Sequence, residues 1–127
     1  MIENDLARIA VDVAFKIHNK LGPGLLESVY EAIMLYEFRQ LRLDVQSQVA
    51  VPVVWEGVTL DIGFRADIIL ESKLILELKA CEAIEPVHKK QLLTYLRLAN
   101  CRLGLLINFN VPLIKNGISR VVNGLPE

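Results

Sequence analysis

The stretch Leu74-Ile75-Leu76-Glu77-Leu78-Lys79-Ala80 sets a carboxylate and an ammonium two residues apart in an otherwise apolar run. Read as a strand, it puts Ile75, Glu77 and Lys79 on one face and Leu74, Leu76 and Leu78 on the other, because side chains alternate. Charges on a largely buried strand are costly unless they are paired or hold a metal. The preceding apolar run, Arg65-Ala66-Asp67-Ile68-Ile69-Leu70, carries the same anomaly at Asp67. If Glu71-Ser72-Lys73 forms the connection, Asp67 lies opposite Glu77 and Ile69 opposite Ile75. Two acids directly opposite repel. A hard divalent cation between them turns that repulsion into binding. A connection one residue shorter would separate the two faces, so the register is a structural test of the site. The competing reading is an ion pair, Glu77 with Lys79 or Asp67 with Arg65, at the end of a sheet.

Upstream, Leu6, Ile9, Ala10, Val13, Ala14, Ile17 and Leu21 make a helical stripe, with Asn4 as its expected cap and Gly22-Pro23-Gly24 as its stop. A second helix is expected from Leu25 to about Arg42, carrying Leu26, Val29, Tyr30, Ile33 and Leu41. Val45 to Trp55 alternates as a strand, with Pro52 marking an edge or a bulge. Glu56-Gly57 turns the chain into Val58–Ile62, and Arg65–Leu70 and Leu74–Ala80 follow as strands. Pro86 suits the first turn of a helix reaching about Ala99. Arg102–Phe109 reads as a central strand, and Ile118–Val122 as a short element of unassigned type. The order is ααββββαβ: one α/β domain over residues 1–127, with a central mixed sheet of four or more strands flanked by helices.

Composition narrows the function. Apolar residues make up 53% of 127, enough for a substantial core, and no apolar run reaches the roughly 18 residues a membrane span needs. The charges of Glu3, Asp5, Lys16 and Lys20 break any apolar leader in the first twenty residues, so a cytoplasmic protein is expected. Its two cysteines, Cys81 and Cys101, form neither a zinc pattern nor a disulfide framework and are expected as reduced thiols. Net charge is −1, without the basic surplus that usually accompanies phosphate binding. Local clusters, Arg39 with Arg42 and Lys89 with Lys90, would have to supply any basic surface. His18 and His88 are lone histidines, for which a structural role is the default.

Two helical segments add polar groups. In the third helix Gln91 and Tyr95 are four residues apart and share a face with His88 and Leu92; on a core-facing stripe both would need polar partners. In Gly24-Leu25-Leu26-Glu27-Ser28-Val29-Tyr30, Glu27 falls in a first helical turn, where the helix dipole favours an acid.

A helical Glu, then Asp, then ExK, then QxxxY on a later helix resembles the PD-(D/E)xK nuclease superfamily, particularly its RecB-like branch. Gly24, Glu27 and Tyr30 match the motif of the GxxExxY protein family, and Asn108-Phe109 with Pro112-Leu113-Ile114-Lys115-Asn116-Gly117-Ile118 and Arg120 is similar to that family's ending. Ala66, not proline, precedes Asp67. The resemblance implies a restriction-endonuclease-like core and a nuclease dependent on Mg²⁺ or Mn²⁺, with DNA as the expected substrate and RNA as the alternative. It assigns the metal to Asp67, Glu77 and the Leu78 carbonyl, with Glu27 completing the acidic cluster through water. Lys79 would orient the attacking water and stabilise charge on the phosphate, and Gln91, Tyr95 and Tyr30 would support the site and position substrate. The alternative is a module of the same fold that binds nucleic acid or a protein partner without cutting. The small, apolar-rich chain also points to a homodimer, or to a protein partner that supplies substrate recognition.

Overall fold

The computed structural model describes residues 1–126, apart from the side chain of Ile62. Glu127, the end of the expected domain, lies outside the described residues. Two helices come first, α1 (Glu3–Leu21) and α2 (Glu27–Gln40), followed by three strands, β1 (Val45–Trp55), β2 (Val58–Leu70) and β3 (Leu74–Lys79). A third helix, α3 (Pro86–Ala99), leads to β4 (Leu103–Asn108), and a 3-10 turn at Ile114–Gly117 enters β5 (Ile118–Val122). The five strands form one mixed sheet in the order β1-β2-β3-β4-β5. Strands β3 and β4 run parallel, and the other neighbours are antiparallel. The expected α/β class and helix-flanked mixed sheet are therefore what the chain forms.

Two elements differ from the expected order. The segments expected as separate strands at Val58–Ile62 and Arg65–Leu70 are one continuous strand of 13 residues. Pairing continues through Val51–Phe64 and Pro52–Gly63, and the irregularity is taken up as a register shift between Pro52 and Val53. Pro52 thus lies both in an edge strand and at a bulge, where its missing N–H does no harm. The unassigned Ile118–Val122 becomes a fifth strand, because β4 is too buried to leave its far edge unpaired.

Helices cover both faces of the sheet, so every residue from Leu74 to Leu78 is buried. Leu74, Leu76 and Leu78 pack with Leu103, Leu105 and Ile107 beneath α1 and α2. Ile75 and Leu106 pack on the other side against Leu92, Tyr95 and Leu96 of α3. At Gly104 a Cβ would lie 3.0 Å from the Leu92 side chain, so the glycine lets α3 approach β4 closely.

The helix stripes are shifted from their expected positions. In α1, Leu6, Ala10, Val13, Ala14 and Ile17 are buried as expected, but Leu21 is exposed. Asn4 lies within α1 and is not its cap; its Oδ1 accepts a hydrogen bond from Arg120 at 2.7 Å, and Asp5 accepts the Ile2 N–H. In α2 the buried line is Tyr30, Met34 and Phe38, spaced four apart, while Leu26, Val29 and Leu41 face outward.

Candidate active site

The antiparallel ladder between β2 and β3 pairs Leu70 with Leu74, Ile69 with Ile75 and Ile68 with Leu76, and there it ends. This is the register a three-residue connection imposes, and continuing it sets Asp67 opposite Glu77. Beyond Ile68 the strands are joined by side chains in place of main-chain carbonyls. The Asp67 N–H donates to Glu77 Oε2 at 2.8 Å. The Leu78 N–H donates to Asp67 Oδ2 at 2.8 Å. Each carboxylate thus satisfies an amide of the opposite strand and is held in place by it.

Burial sets the electrostatics. Glu77 is only 7% exposed, while Asp67 and Lys79 are half-buried. Desolvation, then the like charge of Asp67, pushes the Glu77 carboxyl up to about 8, against the opposing effects of the Asp67 N–H and the Lys79 ammonium. Among the described residues Lys79 forms no ion pair within 4.0 Å, which sets aside the reading of these charges as a simple Glu77–Lys79 bridge. Asp67 likewise does not pair with Arg65, whose guanidinium donates to the Gln48 carbonyl at 3.0 Å.

Glu27 reaches the same end of β3 from α2. Its Oε1 accepts the Ala80 N–H at 3.1 Å. The Gly24–Tyr30 segment makes this possible. Gly22 and Gly24 adopt positive φ of 69° and 100°, a conformation glycine takes without steric cost. The Tyr30 hydroxyl donates to the Gly22 carbonyl at 2.7 Å and accepts the Leu25 N–H at 3.2 Å. The Tyr30 ring stacks on Phe109, with centroids 4.1 Å apart, and the Phe109 N–H donates to the Lys79 carbonyl at 3.0 Å. Tyr30 is fully buried, so it braces the entry to α2 against the end of β3 and is not presented to a substrate.

The third-helix pair divides. Tyr95 is buried against Phe64, and its hydroxyl is raised by burial and then by the charges of Glu77 and Asp67. Gln91 is exposed and is not on the core-facing stripe, because the buried arc of α3 runs through Leu92, Tyr95 and Leu96. His88 serves the start of α3, where its Nδ1 accepts the Glu85 N–H at 2.9 Å. His18 is buried and donates from Nε2 to the Val111 carbonyl at 2.8 Å. Both histidines are thus structural.

Two residues at the site gave no sequence signal. Glu31 of α2 and Gln48 of β1 join the acids: Gln48 Nε2 donates to Glu31 Oε1 at 2.8 Å and to Asp67 Oδ1 at 3.4 Å. Burial raises the Glu31 carboxyl; the Gln48 hydrogen bond opposes the rise, and the charges of Asp67 and Glu27 add to it. Asn108, 1% exposed, clamps the exit from β3 by accepting the Cys81 N–H at 3.2 Å and donating to the Cys81 carbonyl at 2.9 Å.

The donor set suits a hard divalent cation. Two carboxylates of opposite strands are held side by side by backbone amides, and their mutual repulsion is what a cation would relieve. Among the described residues no three His, Cys, Asp or Glu side chains converge to cage an ion. Mg²⁺ does not need a cage, since it commonly binds through one or two carboxylates and keeps several waters. An open cleft of about 560 Å³ adjoins the site, lined by Gly24, Leu25, Glu27 and Ala80 among others; Asp67 and Glu77 do not line it.

A family model described as the PD-(D/E)XK nuclease superfamily matches residues 4–121. No curated protein and no solved structure matches the chain. Among the described residues no helix is long and apolar enough to cross a membrane.

Proposed function

Since this chain belongs to the PD-(D/E)XK nuclease superfamily, we propose that it is a nuclease dependent on Mg²⁺ or Mn²⁺ that hydrolyses phosphodiester bonds of DNA, with RNA as the alternative substrate. The observation that carries this reading is the pair Asp67 and Glu77, each locked by a backbone amide of the other's strand, with Lys79 two residues along the same strand. Within the superfamily, the Gly24, Glu27 and Tyr30 spacing supports reading the chain as a GxxExxY protein of the RecB-like branch.

In this reading Asp67, Glu77 and the Leu78 carbonyl would hold the cation, and Glu27 would complete the acidic cluster. The chemistry such a cation supplies is Lewis-acid stabilisation of the charge that builds on the phosphate. Lys79 orients the attacking water and places a fixed positive charge beside the forming bond, an interaction that strengthens toward the transition state. The low exposure of Glu77 keeps bulk water from weakening these charges. Tyr95, buried against Phe64 and within reach of the charges of Glu77 and Asp67, supports the acids, and exposed Gln91 is free to meet the phosphate backbone.

One observation favours a second reading, a module that binds nucleic acid or protein without cutting: the net charge of −1 gives no basic surplus for phosphate attraction. The same observation fits an enzyme that depends on a partner for substrate recognition. The decisive experiment is cleavage of labelled single- and double-stranded DNA and RNA in Mg²⁺, Mn²⁺ or EDTA, with identically purified Glu77→Ala as control. Metal-dependent cutting lost in the variant is expected. Absence of both cutting and Mn²⁺ uptake would select the binding module.

A further inference from the structure

The residue of β1 facing the site has an unusual backbone. Ser47 pairs with Ile68 and Val49 with Ala66, which leaves Gln48 across from Asp67. Gln48 has φ of +50°, although a side chain in the left-handed region is sterically disfavoured and strands do not require it. Conformations of this kind cost on the order of 1–3 kcal/mol and persist where their surroundings impose them. At Gln48 those surroundings are specific. The Arg65 guanidinium holds its carbonyl at 3.0 Å, and its side-chain amide reaches Glu31 Oε1 at 2.8 Å and Asp67 Oδ1 at 3.4 Å.

An amide suits this place because it offers two N–H donors and no charge. It can face two carboxylates at once without neutralising either, so the acids remain available to a cation. Asp67 is then held from two sides, Oδ2 by the Leu78 N–H of β3 and Oδ1 by Gln48 of β1. The first contact fixes where the carboxylate sits, and the second fixes its rotation. Glu31 anchors the other end of the amide on α2. Three elements, α2, β1 and β2, thereby meet on one side chain.

We propose that Gln48 is a positioning residue of the metal site, orienting the Asp67 carboxylate for a divalent cation through an amide bridge anchored on Glu31. This inference rests on the reading of Asp67 and Glu77 as cation ligands. Groups that orient a ligand in this way commonly contribute roughly ten- to a hundredfold to metal affinity.

The test is calorimetric titration of Mn²⁺ alone into the full chain, alongside thermal unfolding in EDTA. Gln48→Met keeps the side-chain length and removes the amide; Gln48→Gly removes the amide and also relieves the left-handed backbone. Both variants are expected to bind Mn²⁺ roughly ten- to a hundredfold more weakly, while Gln48→Gly unfolds at the same temperature as the parent or higher. A purely structural role predicts the reverse, unchanged affinity with a lowered unfolding temperature. Unchanged affinity in both variants overturns the proposal and leaves the nuclease reading standing. Absence of any Mn²⁺ uptake by the parent that depends on Glu77 overturns both.

Discussion

The two ends of β2 handle burial in opposite ways. At the outer end, around the turn from Trp55 to Val58, apolar side chains stand in solvent: Val54, Trp55, Val58 and Leu60 are 56%, 67%, 58% and 42% exposed. At the inner end Ala66, Ile68 and Leu70 are fully buried, and among them Asp67 is held against Glu77 in a gap where the ladder has opened. One end leaves apolar surface uncovered, and the other confines two acids side by side. Neither arrangement follows from folding stability alone, since hydrophobic burial and charge solvation would each favour the reverse. In the proposed function the inner end is compensated by its chemistry, and its acids are held by backbone amides left free because the ladder stops at Ile68.

The largest effect should come from the chemistry of the inner end. Lys79→Ala is expected to lower cleavage by about 10²–10³-fold, the usual loss on removing one preorganised electrostatic contact, with Mn²⁺ uptake and the fold retained. Equal activity in the variant would remove Lys79 from the mechanism. Next comes packing at that end. Ile68→Ala empties a fully buried site between the sheet and its helices and should destabilise by about 2–5 kcal/mol, read from urea unfolding. At the outer end, Leu60→Ala removes a half-exposed side chain and should change stability by about 0.5 kcal/mol or less. Similar losses at the two positions would erase the distinction between the ends.

An effect of opposite sign tests the confined acids. In the folded chain the Glu77 carboxyl stays protonated up to about 8, whereas its ordinary value is 4.5. Folding therefore takes up a proton between these values, so the stability this group contributes is complete below pH 4.5 and is lost as pH rises through 8. In EDTA the unfolding temperature should fall across that window, and Glu77→Gln, which cannot ionise, should flatten the decline and be the more stable protein at pH 9. Mn²⁺ binding should strengthen over the same window, because the cation must displace the proton. If parent and variant show the same pH profile, Glu77 is not the group confined there.

How much of this was legible in the sequence follows from range. The register at Asp67 and Glu77 could be read because it depends on one short connection; Glu71 and Ser72 both take positive φ, at 51° and 55°, and Lys73 N–H closes on the Leu70 carbonyl at 2.9 Å. The alternation in β3 was equally local. Glu27 could be placed because glycines and a tyrosine surround it at fixed spacing. Gln91 could not, because a pattern spaced by four fixes which residues share a helix face but not how that face is turned toward the sheet. Glu31 and Gln48 were invisible for a different reason. Each reads as an ordinary polar surface residue, and only the packing of α2 over β1 brings them to Asp67, while a left-handed φ within a strand leaves no compositional trace. The 13-residue span of β2 replaces the two strands expected there because the chain keeps pairing through Gly63, opposite Pro52.

A further small effect belongs to the outer turn. Trp55 pairs with Val58 across the turn, a cross-strand contact of the kind that contributes about 0.2–1 kcal/mol. At 67% exposure it has little further burial to lose, so Trp55→Ala should shift stability by about 1 kcal/mol or less and leave Mn²⁺ affinity unchanged. The measurement is paired: unfolding at several protein concentrations, and Mn²⁺ titration of the same samples. A larger destabilisation that appears only at high protein concentration would mean that a second copy covers the turn, because association stabilises by mass action. A fall in Mn²⁺ affinity would mean that the turn is coupled to the acids some ten residues along the strand, and the contrast between the two ends of β2 would no longer hold.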